Sequence, residues 1–93
     1  MQRITRKDLD RLASRINEAT GSPIFHWGDN GANPGNYHID GAYGGYALHR
    51  VANPSGGISD VFSMGHMPAR ELHGLMYAFL IGYRTHEHQM EHA

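Results

Sequence analysis

Apolar residues recur along this chain with two periods, and the change from one to the other marks its elements. Leu9, Leu12, Ala13 and Ile16 are spaced as one face of a helix, with Arg6, Lys7, Asp10, Arg11, Arg15 and Glu18 off the stripe. Thr5 is a good N-cap and Asp8 stands three residues on, the spacing of a capping box with Asp in place of Glu. Ile4 and Leu9 occupy the two positions of a hydrophobic staple, and Gly21 before Ser22-Pro23 ends the helix. A wider stripe, Leu72, Leu75, Met76, Phe79, Leu80 and Tyr83, predicts a second helix. It follows Pro68, which suits a first helical position.

Between the helices the period falls to two. Residues 35–51 read as two strands joined at Gly44-Gly45, a pair that supplies the positive φ angles of a tight hairpin. With that turn Tyr43 faces Tyr46, Gly41 faces Leu48 and Ile39 faces Arg50. On the other side Ala42 meets Ala47, Asp40 meets His49 and His38 meets Val51. Ile24-Phe25-His26-Trp27 reads as a preceding strand and residues 58–64 as a following one, set off by turn-formers at 28–35 and 53–57. The expected fold is α+β, in the order α-β-β-β(-β)-α. It has an antiparallel three- to four-stranded sheet with two helices on one face. Residues 1–84 make one compact domain and 85–93 a polar, His-rich tail. Tyr37, Ile39, Tyr43, Tyr46 and Leu48 would face the helices, leaving His38, Asp40 and His49 turned away.

Composition narrows the class. A chain of 93 residues suits one small core. A formal charge of -1 argues against a grip on a nucleic-acid backbone. The double-stranded RNA-binding fold shares the α-β-β-β-α order, but Pro68-Ala69-Arg70-Glu71 lacks the basic cluster expected at its last helix. The absence of cysteine removes disulfides, thiolate metal sites and thiol nucleophiles. No apolar run is long enough to span a membrane and the start lacks a signal segment, so a cytosolic protein is expected.

Four patterns bear on candidate chemistry. His38, Asp40 and His49 share a hairpin face and offer two imidazoles and a carboxylate to a divalent metal. The glycines leave backbone amides bare for an anion, tyrosines can stack on a base, and histidines and arginines supply donors. Tyr43, Gly44, Gly45, Tyr46, His49, Arg50, Gly57, His66 and Arg70 are therefore the expected ligand-binding residues, with no catalytic residue and no cofactor. The tail carries His86, His88 and His92, but His88-Gln89-Met90-Glu91-His92 has Gln where a zinc-helix motif needs its glutamate base. Ser59, Asp60 and His66 can be drawn as a triad, without the strand-turn-helix elbow that would expose a nucleophile.

The runs Gly35-Asn36-Tyr37-His38-Ile39-Asp40, Ala42-Tyr43-Gly44-Gly45, Gly57-Ile58-Ser59-Asp60-Val61-Phe62 and Gly65-His66-Met67-Pro68-Ala69-Arg70-Glu71-Leu72 resemble those of small accessory proteins of tailed phages and prophages. The likeness extends over most of the chain from Ile4 to about Tyr83, with residues 25–31 and the tail from Thr85 fitting it less well. It implies a non-enzymatic binding protein of the host cytosol that antagonises a host defence or regulatory system. Its partner would be a nucleotide-type signal or a host protein. A homodimer formed through exposed strand groups is a further expectation, and the alternatives are a metal-dependent enzyme using His38, Asp40 and His49, or a double-stranded RNA-binding-like module.

Overall fold

The computed structural model describes residues 3–91, apart from the side chains of 88–91. Helix α1 (Arg6–Thr20) begins as the spacing predicts. The Asp8 N–H donates to the Thr5 hydroxyl, and the Thr5 N–H donates to the Asp8 carboxylate at 2.8 Å. The Thr5 N–H, and then the Thr5 hydroxyl at 3.0 Å, donate to the Asp8 carboxylate and hold it below the ordinary carboxylate range. Gly21 ends the helix in the left-handed region, with φ 69, and the Ser22 N–H reaches back to the Asn17 carbonyl at 2.9 Å. Leu9, Leu12, Ala13 and Ile16 are all buried.

Strands β3 (Tyr37–Ala42), β4 (Gly45–Val51) and β5 (Ile58–Asp60) form an antiparallel sheet in the order β3-β4-β5. The expected strand at 24–27 does not join it. Only Trp27 enters a strand there: β1 (Trp27–Gly28) pairs with β2 (Gly31–Ala32) in a separate two-stranded ribbon. The physical reason lies at the free edge of β3, where α1 takes the place of a fourth strand. The Asn17 side chain accepts from the Tyr37 N–H at 2.8 Å and donates to the Tyr37 carbonyl at 3.0 Å. Arg6 donates to the Ile39 carbonyl at 3.0 Å. These edge groups are thus satisfied by helix side chains.

The hairpin turn lies one residue earlier than the diglycine suggests. Tyr43 and Gly44 carry the positive φ angles, 55 and 74. Gly45 is instead a strand residue held against another backbone, since a Cβ there would lie 2.9 Å from the Met67 carbonyl oxygen. Beside it Tyr46 and Met67 exchange two backbone hydrogen bonds, at 2.8 and 2.9 Å. Moving a turn by one residue shifts each partner by two, so the two faces survive while the pairs change. Ile39 faces Leu48, Gly41 faces Tyr46 and Tyr37 faces Arg50; on the other side His38 faces His49 and Asp40 faces Ala47. Tyr43 leaves the helix-covered face and is 98% exposed.

β5 stops at Asp60, short of the expected Met64, because the Asp60 carboxylate folds the next residues back. It accepts from the Phe62 N–H at 3.3 Å and the Gly65 N–H at 2.9 Å. Helix α2 (Ala69–Glu91) then begins, with the Leu72 N–H bonded to the Pro68 carbonyl at 3.1 Å, so Pro68 caps the helix instead of opening it. α2 continues through Thr85 to Glu91, making those residues of the expected tail helical. His92 and the side chain of His88 lie outside the described residues.

The core forms where Leu9, Leu12, Ala13 and Ile16 meet Ile39, Leu48, Met67, Leu72, Met76 and Leu80. Each fully buried leucine or isoleucine contributes about 1.5–3 kcal/mol. Both helices therefore lie on one face of the sheet, and the other face carries the polar side chains. Among the described residues no helix is long and apolar enough to cross a membrane.

Candidate metal centre

On the sheet face turned from the helices, three separate segments bring a carboxylate and two imidazoles together. Asp40 comes from β3, His49 from β4 and His66 from the loop between β5 and α2. One ligand-type atom of each lies within 4.8 Å of the other two. His66 Nε2 and Asp40 Oδ2 are 2.7 Å apart, a hydrogen bond that joins positions 26 residues distant in sequence. That bond holds the Asp40 carboxyl below its ordinary range, helped by the imidazoles of His49, His66 and His38 and opposed by partial burial.

Local structure explains the placement. Strand parity puts Asp40 and His49 on one face, and Asp40 has only the small Ala47 opposite, which leaves room beside its carboxylate. His66 arrives because its neighbour Met67 is bridged to Tyr46 and because Asp60 ties the preceding loop through Phe62 and Gly65. The side chains are partly open to water, Asp40 at 44% and His66 at 18%. An ion bound here would retain contact with solvent or with an incoming ligand.

The alternative metal set of His38, Asp40 and His49 differs from this cluster by one member. His38 sits directly opposite His49, but its ring stacks on His26, with centroids 3.8 Å apart and planes at 15°. It meets His49 only edge-on, at 5.8 Å. Burial, followed by the neighbouring His26 and His49, pushes the His38 imidazole down to about 4. His66 takes the third position. His26 had no sequence signal beyond being a lone histidine in an apolar run, and its stacking emerges only from the fold.

The expected ligand-binding residues divide between the two faces. His49 and His66 belong to the candidate cluster with Asp40, and Tyr43 stands at its rim, edge-on to His66 at 5.7 Å. Gly44 is in the turn and Gly45 is buried against Met67. Tyr46 lies on the helix side, with the Arg6 guanidinium 5.9 Å from its ring centroid, and Arg50 lies likewise over Tyr37. The Gly57 N–H donates to the Asn53 side chain at 3.1 Å, closing the β4–β5 loop. Arg70 is in the first turn of α2, beside a hollow lined by Met64, Met67 and Leu75. The paper triad of Ser59, Asp60 and His66 is not assembled, since His66 bonds to Asp40 and Asp60 is engaged by backbone N–H groups.

Two imidazoles and one carboxylate are a donor set for a borderline divalent ion such as Zn²⁺ or Fe²⁺, and three protein ligands leave coordination positions open. No family model, curated protein or solved structure matches the chain, so the reading of the site rests on its own geometry.

Proposed function

We propose that this protein is a metal-anchored binding module, in which a divalent transition ion held by Asp40, His49 and His66 captures an oxygen-donor ligand through its open positions. The observation that carries the reading is the approach of three ligand-type atoms, from three segments, to within 4.8 Å of one another. Tyr43 at the rim offers an aromatic surface to that ligand. The phosphates of a nucleotide-type signal have the right donor chemistry, which would join this reading to the role of a phage accessory protein in the host cell. Binding is favoured over turnover because the nearest further carboxylate on the ladder, Asp60 opposite His49, is committed to backbone N–H groups.

The test is metal loading followed by competition. Purified protein treated with chelator and titrated with Zn²⁺, Fe²⁺ or Mn²⁺ should take up one ion per chain and melt at a higher temperature in its presence. Asp40→Asn, His49→Ala and His66→Ala should each remove the rise, whereas His38→Ala should leave it. Added inorganic phosphate should perturb the spectrum of the Co²⁺-loaded protein. Uptake of no ion, or uptake indifferent to all three substitutions, would remove the proposal.

A further inference from the structure

A cavity of about 320 Å³ lies beside the edge of β3, between α1 and the segment 24–26. Arg6, Ser14, Phe25, His26, Asn36 and His38 are among the residues lining it. Among the described residues three buried side-chain polar atoms have no hydrogen-bond partner: His26 Nε2, Asn36 Oδ1 and His38 Nδ1. All three belong to residues of this one wall. Buried polar atoms in native proteins are nearly always satisfied, so three orphans around one hollow point to a molecule that completes them.

The chemistry of the orphans limits what that molecule is. Asn36 is 1% exposed and its Nδ2 donates to the Pro23 carbonyl at 2.8 Å, so the free Oδ1 requires a donor. The two imidazoles are stacked nearly parallel at 3.8 Å, so their lone pairs lie in parallel planes and do not converge on one ion. As neutral rings each offers a donor or an acceptor, according to tautomer. Arg6 is engaged by the Ile39 carbonyl and by Asp10 at 3.8 Å, which leaves the hollow with little net charge. Phe25 is 74% exposed and supplies an apolar face. The volume stands at the small end of ligand sites, enough for a single ring system.

We propose that this cavity binds a small, flat, uncharged heterocycle with a ring N–H beside a carbonyl, the pattern of a nucleobase. Its N–H donates to Asn36 Oδ1, and its remaining polar edge pairs with the nitrogens of His26 and His38. Entry is by displacement of residues 24–26, which belong to no helix or strand and are tied there through Asn33, whose side-chain amide donates to the Phe25 carbonyl and whose N–H donates to the His26 carbonyl, both at 2.9 Å. The site is separate from the metal reading, since none of Asp40, His49 and His66 lines the cavity.

The experiment is a ¹H–¹⁵N NMR titration of the whole chain with uracil and hypoxanthine, using 1,3-dimethyluracil as the ring without an N–H. The expected result is saturable shifts at 24–26 and 36–38 for both bases, with a Kd between about 10 μM and 1 mM. Dimethyluracil should bind at least about 10-fold more weakly, because it leaves Asn36 Oδ1 without a donor. His26→Phe retains the stacked shape, removes the ring nitrogen and should cost at least about 10-fold. Ser14→Leu, at a half-buried position of α1 that lines the cavity, fills the hollow without touching the stack and should abolish binding. No saturable shift, equal binding of the dimethylated ring, or binding unchanged in both variants overturns the proposal. So does a crystal structure without base in which ordered waters satisfy all three atoms.

Discussion

Replacing Asn17 by alanine tests how the sheet is closed at its free edge. The side chain is 1% exposed and makes two hydrogen bonds to the backbone of Tyr37, at 2.8 and 3.0 Å. Each such bond contributes about 0.5–1.5 kcal/mol net, and a partly buried backbone group left without a partner costs about 1–3 kcal/mol. Water reaching the half-buried Tyr37 recovers part of this, so the expected loss is about 2–4 kcal/mol. A chain of 93 residues has a total stability on the order of 5–14 kcal/mol. The loss should therefore lower the melting temperature by about 10–25 °C. Urea unfolding followed by circular dichroism measures the change, and hydrogen exchange at the Tyr37 amide should lose its protection. Asn17→Asp sharpens the test: its carboxylate still accepts from the N–H but opposes the Tyr37 carbonyl. It should be about as damaging at neutral pH and recover partly on acidification, when the protonated oxygen can donate. A loss below about 0.5 kcal/mol in Asn17→Ala, with an unchanged urea slope, would refute the view that α1 substitutes for a strand.

Three other perturbations follow from particular contacts. Gly45→Ala should destabilise by about 1–3 kcal/mol, read from the urea midpoint, because its Cβ would meet the Met67 carbonyl oxygen at 2.9 Å; a neutral result would mean the bridge yields freely. Tyr43→Asn should stabilise by about 0.5–1 kcal/mol, since Tyr43 has φ 55 and Asn-Gly suits a type I′ turn; a lower midpoint would contradict it. His38, pushed down to about 4 from an unfolded value of 6.5, binds its proton more readily in the unfolded chain. Its contribution is intact above pH 6.5 and falls away as pH drops toward 4, by about 1–2 kcal/mol after allowance for a half-exposed ring. His38→Phe should flatten the dependence of urea stability between pH 7 and 5, and an unchanged slope would count against it.

What could be read from the chain divides by the range of the interactions involved. The start and end of α1 are written in residues within a few positions of each other, Thr5 with Asp8 and Gly21 with Asn17, and both are found as expected. The buried stripe of α2 is equally local: Leu72, Met76 and Leu80 are fully buried. Strand parity placed His38, Asp40 and His49 on one face, because a turn displaced by one residue conserves the faces. The turn itself was not legible. Choosing between Tyr43-Gly44 and Gly44-Gly45 depends on Met67, which packs on Gly45 from more than twenty residues away. The sheet lost its fourth strand to a side chain, Asn17, whose pairing with Tyr37 no periodicity records. His66 was recognisable as a ligand-type residue, yet its approach to Asp40 depends on a loop shaped by Asp60.

That loop has a consequence for how the chain matures. The meeting of Asp40 and His66 depends on the register of β3, β4 and β5, on the closed Asp60 loop and on the docking of Met67 on Tyr46. An ion with affinity for the assembled trio would find no comparable nest in a nascent or partly collapsed polypeptide. During refolding, the cobalt absorption band should therefore emerge as the last event, after helicity and sheet content have levelled off.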